Sequence, residues 1–209
     1  MDGTIVDNMA WHSEAWLGLF RDEGVEVTHE EFMETAGQTT PEVIRHFLGE
    51  KTPEEMDTLV KGKELLYRHL YRPHRTPVAG LLALLADAKA AGIKLGVATA
   101  AMPRNIEYTL DGLNLREKFD TVVGASEVQR GKPHPDIFLK VAERLGVPPE
   151  RCLVFEDAKL GLEAARRAGM PSIALLTGHT HEELEGEGVL DFRPTFEGLS
   201  VDEIERLAV

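Results

Sequence analysis

The chain has 209 residues, 43% of them hydrophobic and 28% charged. That is an ordinary globular composition, and it excludes collagen-like, low-complexity and wholly disordered chains. Thirty-six acidic residues against 23 basic ones give a formal net charge of −13. Such a surface repels DNA, RNA and anionic lipid, so neither nucleic acid nor membrane is an expected partner, although a local metal ion or lysine can still hold a small anion. The single cysteine, Cys152, cannot form an internal disulfide, which suits a reducing cytoplasm. Met1-Asp2-Gly3-Thr4 brings neither a basic region nor a long apolar run, and the apolar stretch Pro77 to Met102 is broken by Asp87, Lys89 and Lys94. No leader or membrane span is expected, and the reading is of a soluble cytoplasmic protein.

Residues 8–76 read as helices joined by short loops. Trp11, Ala15, Trp16, Leu19 and Phe20 recur at helical spacing, and Phe47, Leu48, Leu59, Leu65, Leu66 and Leu70 supply further apolar positions among charged ones. Thr28 with Glu31 forms a candidate capping box, and Pro41 and Pro53 suit first-turn positions. No strand is expected before Pro77. From there the texture alternates. Helices are predicted over 80–91, 104–110, 136–145 and 160–168, and strands over 93–99, 121–124, 152–155 and 172–176. Short apolar strands alternating with helices predict an α/β fold with a parallel sheet. Residues 1–7 and 77–209 would form that core, with the helical segment 8–76 as an insertion.

Ligands of open parallel sheets bind beyond the carboxyl ends of the strands, so the residues after each strand carry the search for a site. Thr99-Ala100-Ala101 offers a hydroxyl, small neighbours and backbone N–H groups, which suit an anion; a capped strand-to-helix turn would have the same composition. Lys132 lies in the stiff loop Gly131-Lys132-Pro133-His134-Pro135-Asp136, either as a solvated charge or as a cation aimed at a ligand. Glu156-Asp157 sets two carboxylates at a strand end, which suits Mg2+ and equally a helix N-cap by Asp157.

Taken in order, and with Asp2-Gly3-Thr4 at the start, these pieces resemble the haloacid dehalogenase-like phosphohydrolases, in the branch of phosphoglycolate phosphatases and β-phosphoglucomutases. The resemblance covers essentially the whole chain and implies a Rossmann-like core with an α-helical cap. It implies that Thr99 and the amide of Ala100 hold the transferring phosphoryl group, that Lys132 offsets its charge, and that Asp157, and less directly Glu156, hold Mg2+. Gly3 would line the phosphate, and Asp2 would be the general acid/base, with its carbonyl a metal ligand. The family's first motif is an apolar strand followed by Asp-x-Asp-Gly-Thr, and only its second half is present here. The nucleophilic aspartate is therefore expected just upstream of Met1, and the chain as written is expected to lack both it and its strand.

In the inserted helices the resemblance implies that His12 helps position the acid/base, and that Gln38 and Thr40 belong to a loop that reads the substrate. β-Phosphoglucomutases carry an arginine near Thr40, and a hydroxyl cannot replace a bidentate guanidinium. Arg45 or Lys63 could supply a cation from elsewhere. Trp16 and Cys152 read as core, and His179 and His181 as surface-loop histidines. The expectation is a Mg2+-dependent phosphatase of a small phosphorylated metabolite, acting through an aspartyl-phosphate. The alternatives are a sugar-phosphate mutase and a degenerate relative that only binds phosphorylated ligands.

Overall fold

The computed structural model describes residues 1–33, 35 and 40–207. The chain divides into two compact units, Met1–Asp7 with Thr76–Val209, and Asn8–Arg75.

The helical unit contains α1 (Met9–Asp22), α2 (His29–Met33), α3 (Thr40–Leu48) and α4 (Pro53–Tyr71). Its turns follow the expected start signals. Glu31 accepts from the Thr28 N–H at 2.8 Å, and Thr52 and Glu55 close a second capping box ahead of Pro53. Trp16, Leu19 and Phe20 of α1 pack with Val43 and Ile44 of α3 and Leu59 of α4. Trp16 is thus core, whereas Leu65 points to solvent.

The α/β unit contains α5 (Leu81–Ala90), β1 (Gly96–Ala98), α6 (Pro103–Ile106), β2 (Thr121–Val123), α7 (Asp136–Leu145), β3 (Val154–Glu156), α8 (Lys159–Arg167), β4 (Ser172–Leu175), α9 (His181–Leu184), β5 (Val189–Arg193) and α10 (Val201–Leu207). Among the described residues its strands form two parallel sheets, β1-β2 and β3-β4-β5. The sheets share one apolar cluster, in which Val123 of β2 and Val154 of β3 pack with Ile137, Phe138 and Ala142 of α7 and with Ala164 and Ala165 of α8. The fold is α/β with parallel strands, as predicted. At the start of the chain Met1, Ile5 and Val6 are buried, and Val6 bridges to Asp2 and Pro77.

Three local expectations change. The helix expected over 104–110 divides into α6 and a π-helical turn at Glu107–Asp111. Cys152 lies ahead of β3 and is only half-buried, because the strand starts at Val154, in register with Ser172. β5 and α10 complete the unit where no element was anticipated. Arg193 of β5 bonds Asp191 and Glu203, so its charge is answered inside the fold. No helix among the described residues is long and apolar enough to cross a membrane.

Candidate functional site

β3 ends on Glu156, and Asp157 follows in the turn before α8. Both side chains are buried. Glu156 Oε2 accepts from Lys132 Nζ at 2.7 Å, and the same ammonium lies 5.1 Å from the centroid of the Phe138 ring. Gly161, in the first turn of α8, makes room for this carboxylate: a Cβ there would fall 2.0 Å from the Glu156 carboxyl carbon. Asp157 Oδ1 accepts from the Thr4 hydroxyl at 2.8 Å. Gly3 adopts φ +67°, and a Cβ on it would lie 1.9 Å from Asp157 Oδ2. Only glycine meets both demands, the left-handed backbone and the close approach. The opening turn of the chain is thereby laid against the carboxyl end of β3.

Burial pushes the Asp157 carboxyl up to about 6, and the neighbouring Glu156 charge adds to the shift; the Met1 α-ammonium, the Thr4 hydroxyl and Lys132 act against it. Two buried carboxylates stand side by side at this strand end, one bonded to Lys132 and the other left with a raised affinity for its proton. A hard divalent cation suits such a pair, because Mg2+ takes carboxylate and carbonyl oxygen and keeps several waters. The donor set fits on those terms. Among the described residues no three His, Cys, Asp or Glu side chains converge to form a cage, so an ion here would rely on carboxylate, main-chain oxygen and water.

Thr99 follows β1 and is buried. Its N–H bonds the Val123 carbonyl at 3.0 Å, and its Oγ1 accepts from the Ala101 N–H at 3.1 Å, with Ala100 exposed between them. This is the capped turn, and it also leaves the hydroxyl proton to be donated to an anion. Lys132, Glu156, Asp157, Gly3 and the Asp2-bearing turn come together. His12 and Thr40 belong to the helical unit. There His12 Nδ1 lies 2.9 Å from Lys63 Nζ and its ring stacks on Tyr67, with centroids 3.7 Å apart. Gln38 lies outside the described residues, as do Gly37 and Thr39.

Two residues were passed over. The Thr177 hydroxyl donates to the Gly3 carbonyl at 2.5 Å, and His179 Nδ1 lies 3.0 Å from the Asp157 carbonyl. His179 is therefore half-buried against the strand-end acids rather than a surface-loop residue. His181 sets its ring edge against Phe192, with centroids 3.9 Å apart. The signal was available: Thr177 and His179 follow β4, where the carboxyl-end rule directs attention.

A family model described as haloacid dehalogenase-like hydrolase matches residues 1–175. The chain belongs to the haloacid dehalogenase-like hydrolases. It is 32% identical over 175 residues to the fructose-1-phosphate phosphatase YqaB of Escherichia coli, covering 83% of this chain and 92% of that one. It is 31% identical over 194 residues to a phosphorylated carbohydrates phosphatase of Thermotoga maritima, covering 91% and 88%. Among solved structures, CbbY of Rhodobacter sphaeroides in complex with phosphate superposes with a TM-score of 0.85 at 29% identity, covering 98% of this chain and 96% of that one.

Proposed function

We propose that this hydrolase is a Mg2+-dependent phosphatase of small phosphorylated sugars, working in the cytoplasm through an aspartyl-phosphate. The observation that carries the reading is the buried Glu156–Asp157 pair at the end of β3, answered by Lys132 and braced by the Asp-Gly-Thr turn. The phosphatases named above support the substrate class. Asp157, with Glu156 behind it and the Asp2 carbonyl, would hold Mg2+, which when bound supplies positive charge to the phosphoryl oxygens. Lys132 offsets negative charge on the same group, and the Thr99 hydroxyl and the Ala100 N–H orient it. The nucleophile is an aspartate two residues ahead of Asp2, where the period of an extended strand turns both carboxylates to one side. Its carboxylate attacks phosphorus while Asp2 gives a proton to the leaving sugar oxygen. Asp2 then takes a proton from the water that releases phosphate.

Hydrolysis is favoured over mutase chemistry. A mutase must hold a bisphosphate by its far phosphate, which calls for a strong cation near Thr40. Arg45 instead lies at the surface, 3.6 Å from Glu50, and Lys63 is paired with Glu64. His12 would act in the helical unit, with Gln38 and Thr40 reading the sugar.

The test is phosphate release from fructose 1-phosphate with Mg2+. Residues 1–209 alone should give none above background. The same chain preceded by an apolar strand, so that the junction reads Asp-Met-Asp, should turn over, and Asp2→Asn should then lower kcat by about 100-fold or more. Turnover by residues 1–209 that Asp2→Asn abolishes would move the nucleophile to Asp2. Interconversion of glucose 1-phosphate and glucose 6-phosphate faster than phosphate release would replace the phosphatase with a mutase.

A further inference from the structure

The turn that follows β4 sends two side chains to two main-chain oxygens far apart in the sequence. Thr177 donates to the carbonyl of Gly3 and His179 reaches the carbonyl of Asp157. A carbonyl only accepts, so His179 carries its proton on Nδ1. The Thr4 hydroxyl closes the circuit by donating to Asp157 Oδ1. The opening turn and the strand-end acids are therefore tied to each other once directly and once through the β4 turn. That turn is itself anchored on both sides. The Leu176 N–H bonds the Arg193 carbonyl at 2.9 Å, and Thr180 opens α9 with a capping box in which Glu183 accepts the Thr180 N–H at 2.7 Å.

We propose that Thr177 and His179 are positioning residues that set the geometry of the cation site and, through it, the preference for Mg2+ over Ca2+. The proposal rests on the reading of Asp157 as a metal ligand. Mg2+ demands a near-ideal octahedron with short bonds, whereas Ca2+ accepts longer bonds and looser geometry. Few side chains converge here, so selectivity depends on how firmly the main chain bearing Asp2 and Asp157 is held. Thr177 fixes the peptide next to Gly3, and His179 fixes the backbone from which the Asp157 carboxylate projects. Loosening either clasp costs the cation with the stricter geometry more.

Calorimetric titration of the full chain with MgCl2 and, separately, CaCl2 tests this, with the metal-free melting temperature read in parallel. His179→Ala and Thr177→Val should each weaken Mg2+ binding about 10-fold, the usual scale for a lost outer hydrogen bond, and weaken Ca2+ binding less. His179→Asn places an amide N–H where Nδ1 stood and should recover most of the Mg2+ affinity. His179→Gln, whose amide reaches the Nε2 position, should not. Thr177→Ser keeps the hydroxyl and should bind as the parent does. These contrasts separate positioning from general stabilisation, which would follow melting temperature and move both cations alike. Should His179→Ala not fold, the Asn and Gln pair and the Thr177 pair still decide. Unchanged Mg2+ affinity in the clasp variants, with binding lost in Asp157→Asn, would overturn the clasp alone. A parent chain that binds no Mg2+, or an Asp157→Asn variant that binds it equally well, would overturn the metal reading with it.

Discussion

Lys132 and Glu156 meet across 24 residues of sequence, one from a loop and one from a strand end, whereas Lys63 and Glu64 are neighbours on one turn of α4. The two contacts are nearly the same length, 2.7 and 2.9 Å, and both are shielded, with side-chain exposures of 16% and 7% in the first pair and 4% and 10% in the second. Their surroundings differ. Lys63 lies over the rings of Trp16 and Tyr67, at 5.1 and 5.8 Å, and beside His12. Adjacent helix positions do not face each other, so long side chains are drawn together there by what surrounds them. Glu156 instead has a second carboxylate beside it, at the end of a parallel sheet where ligands bind. One pair is enclosed by its own helices; the other shares a strand end with a second buried carboxylate.

The largest test of this contrast removes each lysine. Lys63→Met leaves a buried carboxylate without its ammonium and should cost about 3–5 kcal/mol in urea unfolding, most of it recovered in Lys63→Met/Glu64→Leu. Lys132→Met should cost less stability, because Lys132 is the more exposed of the two lysines, 16% against 4%. It should also weaken phosphate binding about 10-fold, the worth of one charged hydrogen bond. Equal stability losses with phosphate binding untouched would erase the distinction.

A smaller effect comes from two helical glycines. Gly161→Ala drives a methyl into the Glu156 carboxyl and should cost about 1–3 kcal/mol, while disturbing the contact with Lys132. Gly62→Ala in α4 meets nothing within 4 Å and should stabilise the protein by about 1 kcal/mol through helix propensity. Opposite signs in thermal unfolding would sharpen the view that the strand-end pair is sterically fixed. A neutral Gly161→Ala would show that Glu156 has room to move.

Much of the α/β unit was legible because its strands are short apolar runs and its helices end at glycine stops, as at Gly146 after α7 and Gly169 after α8. Boundaries slipped where pairing overrode composition: Cys152 and Leu153 look like strand, but the register begins with Val154 opposite Ser172. β5 was illegible because Asp191 and Arg193 interrupt its apolar pattern and pair only after folding. Thr99, Glu156 and Asp157 could be picked out because each stands at or just beyond a strand end, and Lys132 because it stands in the loop before a helix. His179 stands in such a place too, but a lone histidine among loop residues has no periodicity to mark it, and its partner is a main-chain oxygen. The burial of Lys63 was equally hidden, since it depends on rings from other turns.

The smallest test asks what an exposed cluster contributes beside these buried pairs. Glu163 on α8 accepts from Arg166 at 2.7 and 3.0 Å and from Arg167 at 2.6 Å. The hydrogen bonds from Arg166, then those from Arg167, draw its carboxyl down to about 2 from the ordinary 4.5. A carboxyl whose folded value is depressed stabilises the fold above its unfolded value and loses that contribution as pH falls through the folded one. Glu163→Gln should therefore melt slightly below the parent at pH 7. The gap should shrink as pH drops below 4.5 and close near 2. The gap should also narrow in 1 M salt, since exposed charges are screened. Lys63→Met should keep its deficit in salt, because ions do not reach that pair. A Glu163→Gln loss as large as that of Lys63→Met, or one indifferent to salt, would show that burial is not what separates the three clusters.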